Sequence, residues 1–234
     1  MSSPFAIPPE KLTTLAIEGL DAIFPVNRVY CIGRNYAAHA REMGGDPTRE
    51  APFFFMKPAD SVVSCPSDLR VDLPYPTMTE SYHFEAEMVV ALGKGGQNIA
   101  ESDALAHVFG YGAGLDMTRR DRQDEAKAAR RPWEVGKCAD HSAPVGLLRR
   151  ASEIGHPEHG TIRLDVDGQV RQQSVLEAMI WRVPEQIAIL SQFFMLKAGD
   201  LIFTGTPEGV GAIERLETIK VEIDGLAPLT VRHV

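Results

Sequence analysis

The 234-residue chain is expected to fold as a β-dominated α+β domain, because its strand-like segments outnumber its helix-like ones without alternating regularly with them. That order disfavours a Rossmann or TIM architecture. Two segments of alternating hydrophobicity, LDVDGQV and IKVEIDGLAPLTV, centre on Asp167-Gly168 and Asp224-Gly225, pairs that suit tight type I′ hairpins. A long apolar run over residues 82–92 reads as an inner strand.

Residues 1–25 carry Pro4, Pro8, Pro9 and Pro25 and are expected to be a peripheral lead to one domain over residues 26–234. The first convincing strand is 28–32. Asn35 can cap a short helix, YAAHAREM, which Gly44 and Gly45 end because glycine tolerates the left-handed conformation. Residues 53–56 and the proline-punctuated 71–76 are rich in β-formers. A glycine-rich strand, 110–115, leads through Asp116 to Thr118, which can cap a polar helix over 119–130 before Pro132 stops it. Pro184 opens a later helix with Ile187, Leu190 and Phe194 on one face and Gly199 beyond its end.

Composition narrows the function classes. With 44% hydrophobic and 24% charged residues, the chain matches ordinary globular proteins. The 24 Lys+Arg against 32 Asp+Glu leave a net charge of -8, a poor start for nucleic acid or an anionic membrane. Cys31, Cys65 and Cys138 include no CxxC pair, which argues against a disulfide framework or thiolate zinc site and for a reducing cytoplasm. The start MSSPFAIPPEK lacks a signal-peptide pattern, and the best apolar stretch, 187–196, is interrupted by Ser191 and Gln192 and is too short for a bilayer.

The sharpest local feature is Glu85-Ala86-Glu87. In a strand, both carboxylates point to one face and Phe84, Ala86, Met88 and Val90 to the other. An arbitrary ExE pair usually lies on a solvated face, but the apolar continuation MVVAL puts this one where a sheet becomes buried, and unpaired anions there are costly. Asp116, at a strand exit after GYGAGL, supplies a third carboxylate. Three carboxylates without a Cys or His ligand motif suit a hard divalent ion, Mg²⁺ or Mn²⁺. His83 is expected behind the ligands or as a satisfied core histidine.

His39 and Glu42 stand three apart on one helix face. The carboxylate would orient the imidazole, raise its basicity and favour the imidazolium, which makes a water-activating base, although such pairs are more often surface salt bridges. Arg120 and Gln123 on the next helix, with Lys137 in EVGKCAD, can turn back over the metal and bind an anion. The plainer alternative is that TRRDRQDEAKAARR is a solvated charged helix. TGTPEGVG can offer backbone N–H groups to a carboxylate but lacks the lysine of a phosphate-binding loop.

In order, GRNYAAHAREMG, PFFFMKPADSVV, YHFEAEMVVALGKGG, GYGAGLDMTRRDRQDEAK, RPWEVGKCADHSAPVG and AGDLIFTGTPEGVG resemble the fumarylacetoacetate hydrolase family, from about Val26 onward. The resemblance implies a mixed β-roll or β-sandwich of that family's C-terminal domain type, a homodimer, and Mg²⁺ or Mn²⁺ at Glu85, Glu87 and Asp116. It implies that His39 with Glu42 is the water-activating dyad on a mobile lid. It further implies that Arg120, Gln123 and Lys137 surround the reacting carbonyl and that Thr206 contacts substrate from a loop. The implied activity is metal-dependent hydrolysis of the C–C bond of a β-diketo acid. Fumarylpyruvate, cleaved to fumarate and pyruvate in gentisate degradation, is the expected small oxo-acid substrate. Acylpyruvase or oxaloacetate decarboxylase chemistry is the alternative, and a non-catalytic metal- or oxo-acid-binding protein is a third. The ten positions before His39 hold no Asp or Glu, so the extra carboxylate ligand of larger members is not expected. Cys138-Ala139-Asp140 stands where related sequences often place a bulky aromatic before the aspartate, which is expected to alter the packing beneath Lys137.

Overall fold

The strand Ala86–Leu92 is buried along its whole length, because strands flank it on both sides and apolar layers cover both faces. In the computed structural model, which describes residues 5–42, 51–66 and 69–234, it lies in the middle of an eight-stranded mixed sheet. The order is Phe53–Lys57, Val29–Gly33, Leu201–Phe203, Ala86–Leu92, Val108–Leu115, Ala143–Val145, Val62–Ser64, with Arg149–Arg150 also paired to Val108–Leu115. Leu201–Phe203 runs parallel to Val29–Gly33, and Ala143–Val145 parallel to Val62–Ser64; the other pairs are antiparallel.

Alternation along the central strand divides the core. Met88 and Val90 join a cluster with Leu164, Val221 and Leu229 of a five-stranded sheet ordered Gln169–Val175, Thr161–Val166, Thr218–Ile223, Leu229–His233, Val71–Leu73. Val89 and Ala91 face the opposite way and pack with Val145, Phe203, Leu15, Ile17 and Phe24. Those last three belong to a hairpin of Thr14–Ile17 with Leu20–Pro25, so two strands precede the segment expected to be the first. Burying each such side chain contributes about 1.5–3 kcal/mol, which makes the hairpin part of the sheet's outer layer rather than a loose extension. Among the described residues, no helix is long and apolar enough to cross a membrane.

Local geometry departs from the sequence-based expectation in several places. The run 82–92 is two strands: Tyr82–Phe84 pairs with Thr118–Arg119 and Gly211–Ala212 in a small separate sheet, and Glu85 marks the break. Thr118 does not cap the helix, which spans Arg120–Ala128; its hydroxyl donates to the Asp116 carbonyl at 3.1 Å. Asn35 does not cap Ala37–Glu42 either. Its amide donates to the carbonyls of Trp181 at 2.9 Å and Thr204 at 2.7 Å, because it tethers two loops. Gly44 and Gly45 lie outside the described residues. Asp167 and Gly168 have φ of 49° and 79°, as a type I′ turn requires. At Asp224-Gly225 the loop is wider: strand pairing starts at Val221 with Leu229, and the Asp224 carboxylate accepts from the Thr161 N–H at 2.8 Å. The helix expected after Pro184 is Val183–Phe193, with Ile187 and Leu190 buried; Phe194 lies just past it, its ring 5.1 Å from that of Tyr30.

Candidate active site

Sheet register builds the acidic centre. Ala86 pairs with Leu115, so Glu85, one residue before, lies opposite Asp116, one residue after, and the Asp116 N–H donates to the Glu85 carbonyl at 2.9 Å. Glu87 follows on the same strand. One carboxylate oxygen from each of Glu85, Glu87 and Asp116 lies within 4.8 Å of the other two, and all three residues are buried. His83 stays outside this group, its Nε2 2.9 Å from Ser81 Oγ. Burial, aided by the charge of Arg120, lowers its pKa to about 4.

Three cations meet these carboxylates. Lys137 arrives on the short helix Glu134–Lys137, and Gly136 permits the approach, since a Cβ there would sit 2.9–3.0 Å from Gln123 atoms. Lys137 Nζ donates to Glu85 Oε2 at 2.8 Å and to Asp116 Oδ2 at 2.7 Å. Arg120 pairs with Glu85 Oε1 through Nη2, and its Nη1 donates to Gln123 Oε1 at 2.5 Å. The third is Lys57, to which the sequence assigned no role. Its Nζ lies 2.9 Å from Asp116 Oδ1 and donates to the Met117 carbonyl at 3.0 Å, to Ser142 Oγ at 2.9 Å and to the Lys137 carbonyl. Lys57 and Ser142 therefore support Lys137 next to the small, buried Ala139, while the Phe55 ring lies 4.9 Å from Lys137 Nζ. Strand alternation puts Phe53, Phe55 and Lys57 on one face, a signal in the sequence that could have identified this lysine.

The electrostatics separate the carboxylates. Burial pushes Glu85 up, but the charges of Lys137 and Arg120 outweigh it and hold the group below the ordinary range. Lys137 is raised, its burial outweighed by Asp116 and Glu85. Glu87 is pushed well above its usual value by burial and by the charges of Asp116 and Glu85, against one bond from the Gly205 N–H at 2.7 Å. Gly205 has a φ of +96° and would bring a Cβ to 2.6 Å from Asn35, so only glycine fits there. An all-oxygen set with an under-compensated buried carboxylate fits a hard dication.

Beside this centre, His39 Nδ1 lies 3.2 Å from Glu42 Oε2. The imidazolium expectation is corrected: burial lowers the His39 pKa despite Glu85 and Glu42, which keeps the ring neutral and able to accept a proton. TGTPEGVG does offer N–H groups to carboxylates, and they belong to this chain: Gly205 to Glu87, and Gly209 to Glu42 at 3.3 Å. Thr206 is buried, and Gln172 holds it, donating to its hydroxyl at 2.9 Å while accepting the Ala86 N–H at 2.9 Å. Gln172 sits in a strand of polar residues and carried no signal in the sequence. A narrow cleft is lined by His39, Glu85, Glu87, Arg120, Gln123, Lys137 and Thr206, and also by Arg34, Phe53, Lys127 and Trp133, which had no expected role. The buried Asp116 and the exposed Glu42 are not part of this lining.

Comparisons with known proteins agree with the fold. Residues 28–234 match the family described as fumarylacetoacetate (FAA) hydrolase C-terminal. The chain is 39% identical over 203 residues to the oxaloacetate tautomerase YcgM of Escherichia coli (strain K12), covering 86% of this chain and 90% of that one. It is 39% identical over 186 residues to a fumarylpyruvate hydrolase of Ralstonia sp, covering 80% and 94%. Its structure aligns with the crystal structure of fumarylpyruvate hydrolase from Pseudomonas aeruginosa in complex with Mn²⁺ and pyruvate at a TM-score of 0.97 and 55% identity, covering 98% and 99% of the two chains. The chain belongs to the fumarylacetoacetate hydrolase family.

Proposed function

We propose that the protein is a metal-dependent hydrolase cleaving the C–C bond of a β-diketo acid, with fumarylpyruvate converted to fumarate and pyruvate. The observation that carries this is a cluster of three buried carboxylates, two of which line one cleft together with a carboxylate-oriented histidine. The likeness to a fumarylpyruvate hydrolase that holds Mn²⁺ and pyruvate supports it.

Glu85, Glu87 and Asp116 are the residues that would hold Mg²⁺ or Mn²⁺, which when bound supplies Lewis-acid polarisation and offsets developing negative charge. Because His39 Nδ1 donates to Glu42, its Nε2 is left to accept a proton from water as that water adds to the distal ketone. Arg120 and Gln123 meet the tetrahedral oxyanion, and Lys137 balances the leaving group. When the C–C bond breaks, its electron pair leaves as pyruvate enolate, which takes up a proton to give pyruvate; the other fragment keeps the water oxygen as the new carboxylate of fumarate. Thr206 contacts the substrate from its loop.

The proposed setting is gentisate degradation by a cytoplasmic homodimer, with residues 26–234 as the catalytic unit behind a lead of 1–25. The free thiols of Cys31, Cys65 and Cys138 suit a reducing compartment. A second activity, enolisation or decarboxylation of oxaloacetate on the same residues, is favoured by the likeness to an oxaloacetate tautomerase and to an oxaloacetate decarboxylase of Dictyostelium discoideum. Side-by-side assays of fumarylpyruvate, acetylpyruvate and oxaloacetate with Mn²⁺ or Mg²⁺ separate the two. The highest kcat/KM is expected for fumarylpyruvate, and a strong preference for oxaloacetate would overturn the assignment. Asp116→Ala is expected to abolish metal-dependent turnover of any of them.

A further inference from the structure

We infer that Arg34 and Lys127 form a carboxylate clamp in the outer half of the cleft, making the chain selective for 2,4-dioxo acids that carry a second carboxylate at the far end. The clamp rests on the proposed β-diketo acid cleavage and names the substrate class of that same site.

Both side chains line the cleft that also holds Glu85, Glu87 and His39. Both are half-buried, whereas the acidic centre is buried, so they stand nearer its mouth. They are arranged around an aromatic corner. The Arg34 guanidinium lies 5.8 Å from the centre of the Phe53 ring, Phe53 meets Trp133 edge-on at 5.4 Å, and Lys127 Nζ lies 5.6 Å from the Trp133 ring. Arg34 adopts its place with a φ of 55°, a left-handed conformation that residues with a Cβ seldom take.

The charge balance differs between the two halves of the cleft. Deep inside, Lys57, Lys137 and Arg120 are bonded to carboxylates of this chain. In the outer half the only acid paired with Lys127 among the described residues is the exposed Asp124, at 3.3 Å, and no described ion pair neutralises Arg34. Burial and then the charges of Arg120 and Arg34 lower the Lys127 pKa against the pull of Asp124, which shows that like charges crowd one opening. An anion between them relieves that crowding.

The substrate chemistry matches this polarity. The oxo-acid end belongs at the acidic centre, which leaves the other end of an extended substrate near Arg34 and Lys127. A flat, conjugated arm ending in a carboxylate can lie along the corner that Phe53 and Trp133 form and reach a planar guanidinium fork and a point charge together. An acyl arm ending in a methyl group offers these cations nothing.

The test compares Arg34→Gln and Lys127→Met with the unaltered protein, using fumarylpyruvate and acetylpyruvate with Mn²⁺. Each variant is expected to lower kcat/KM for fumarylpyruvate by ~10–100-fold, chiefly through KM, and by at least ~10-fold more than for acetylpyruvate. Arg34→Lys, which keeps the charge and loses the fork, is expected to fall between. Equal losses on both compounds, or none, would overturn the clamp. Calorimetric titration of the same two compounds into Mn²⁺-loaded protein in a His39→Ala background gives the affinity ratio without turnover. If the unaltered protein cleaves neither compound, the hydrolase assignment fails, and the clamp then stands or falls on that affinity ratio alone.

Discussion

Glu87 shows how the site trades stability for metal affinity. It is buried, lies beside two other carboxylates and has its pKa driven upward, so without a cation it strains the fold. Glu87→Gln keeps an oxygen for the Gly205 N–H while removing the like charge. Metal-free Glu87→Gln is expected to be more stable than the unaltered protein by about 1–3 kcal/mol, and to lose the rise in Tm that Mn²⁺ gives the unaltered protein. Thermal melts with a chelator and with Mn²⁺ check both halves. His39 makes the opposite case. His39→Ala is expected to reduce kcat by ~10²–10⁴-fold while leaving Mn²⁺ affinity unchanged, since His39 is not among the three clustered ligands; near-full activity would remove it from the proton-transfer role.

Between whole elements, the helices Arg120–Ala128 and Glu134–Lys137 carry three of the polar groups at the acidic centre, and Gly136 sets their spacing. Gly136→Ala puts a methyl group against the Gln123 backbone. It is expected to cost about 1–3 kcal/mol and to lower kcat as Lys137 withdraws from Glu85 and Asp116. The hairpin Thr14–Ile17 with Leu20–Pro25 supplies the contrast, because it packs on the far face of the central sheet. Leu15→Ala is expected to cost about 2–5 kcal/mol with little change in kcat for the folded fraction. Urea midpoints paired with steady-state assays distinguish the two. The hairpin was hidden from sequence reasoning by its proline-rich surroundings. Asn35, a plausible cap by type, ties two loops together instead, and the Thr118 hydroxyl bonds back to Asp116.

For the molecule as a whole, acid sensitivity has an identifiable contributor in His233. It is fully buried against the Tyr82 ring, neither of its ring nitrogens has a hydrogen-bond partner among the described residues, and burial lowers its pKa to about 4. An unfolded histidine titrates near 6.5 and takes up its proton first as pH falls. The stability contributed by neutral burial is therefore present above that value and is lost between it and the folded pKa, on the order of 3 kcal/mol. Urea midpoints at pH ~7 and ~4.5 should show the unaltered protein losing more stability than His233→Phe.

The chain order alone was enough for the strand-rich class, the Asp167-Gly168 turn, the Glu85, Glu87 and Asp116 trio and the His39/Glu42 pair. Those depend on short-range periodicity and on the cost of burying charge, which adjacent residues reveal. Pairing across the sheet decided the rest: that Glu85 faces Asp116, that Lys57 and Gln172 underpin the centre, and that His39 is neutral. Solvent exclusion and the proximity of distant charges arise only when strands far apart in sequence lie side by side.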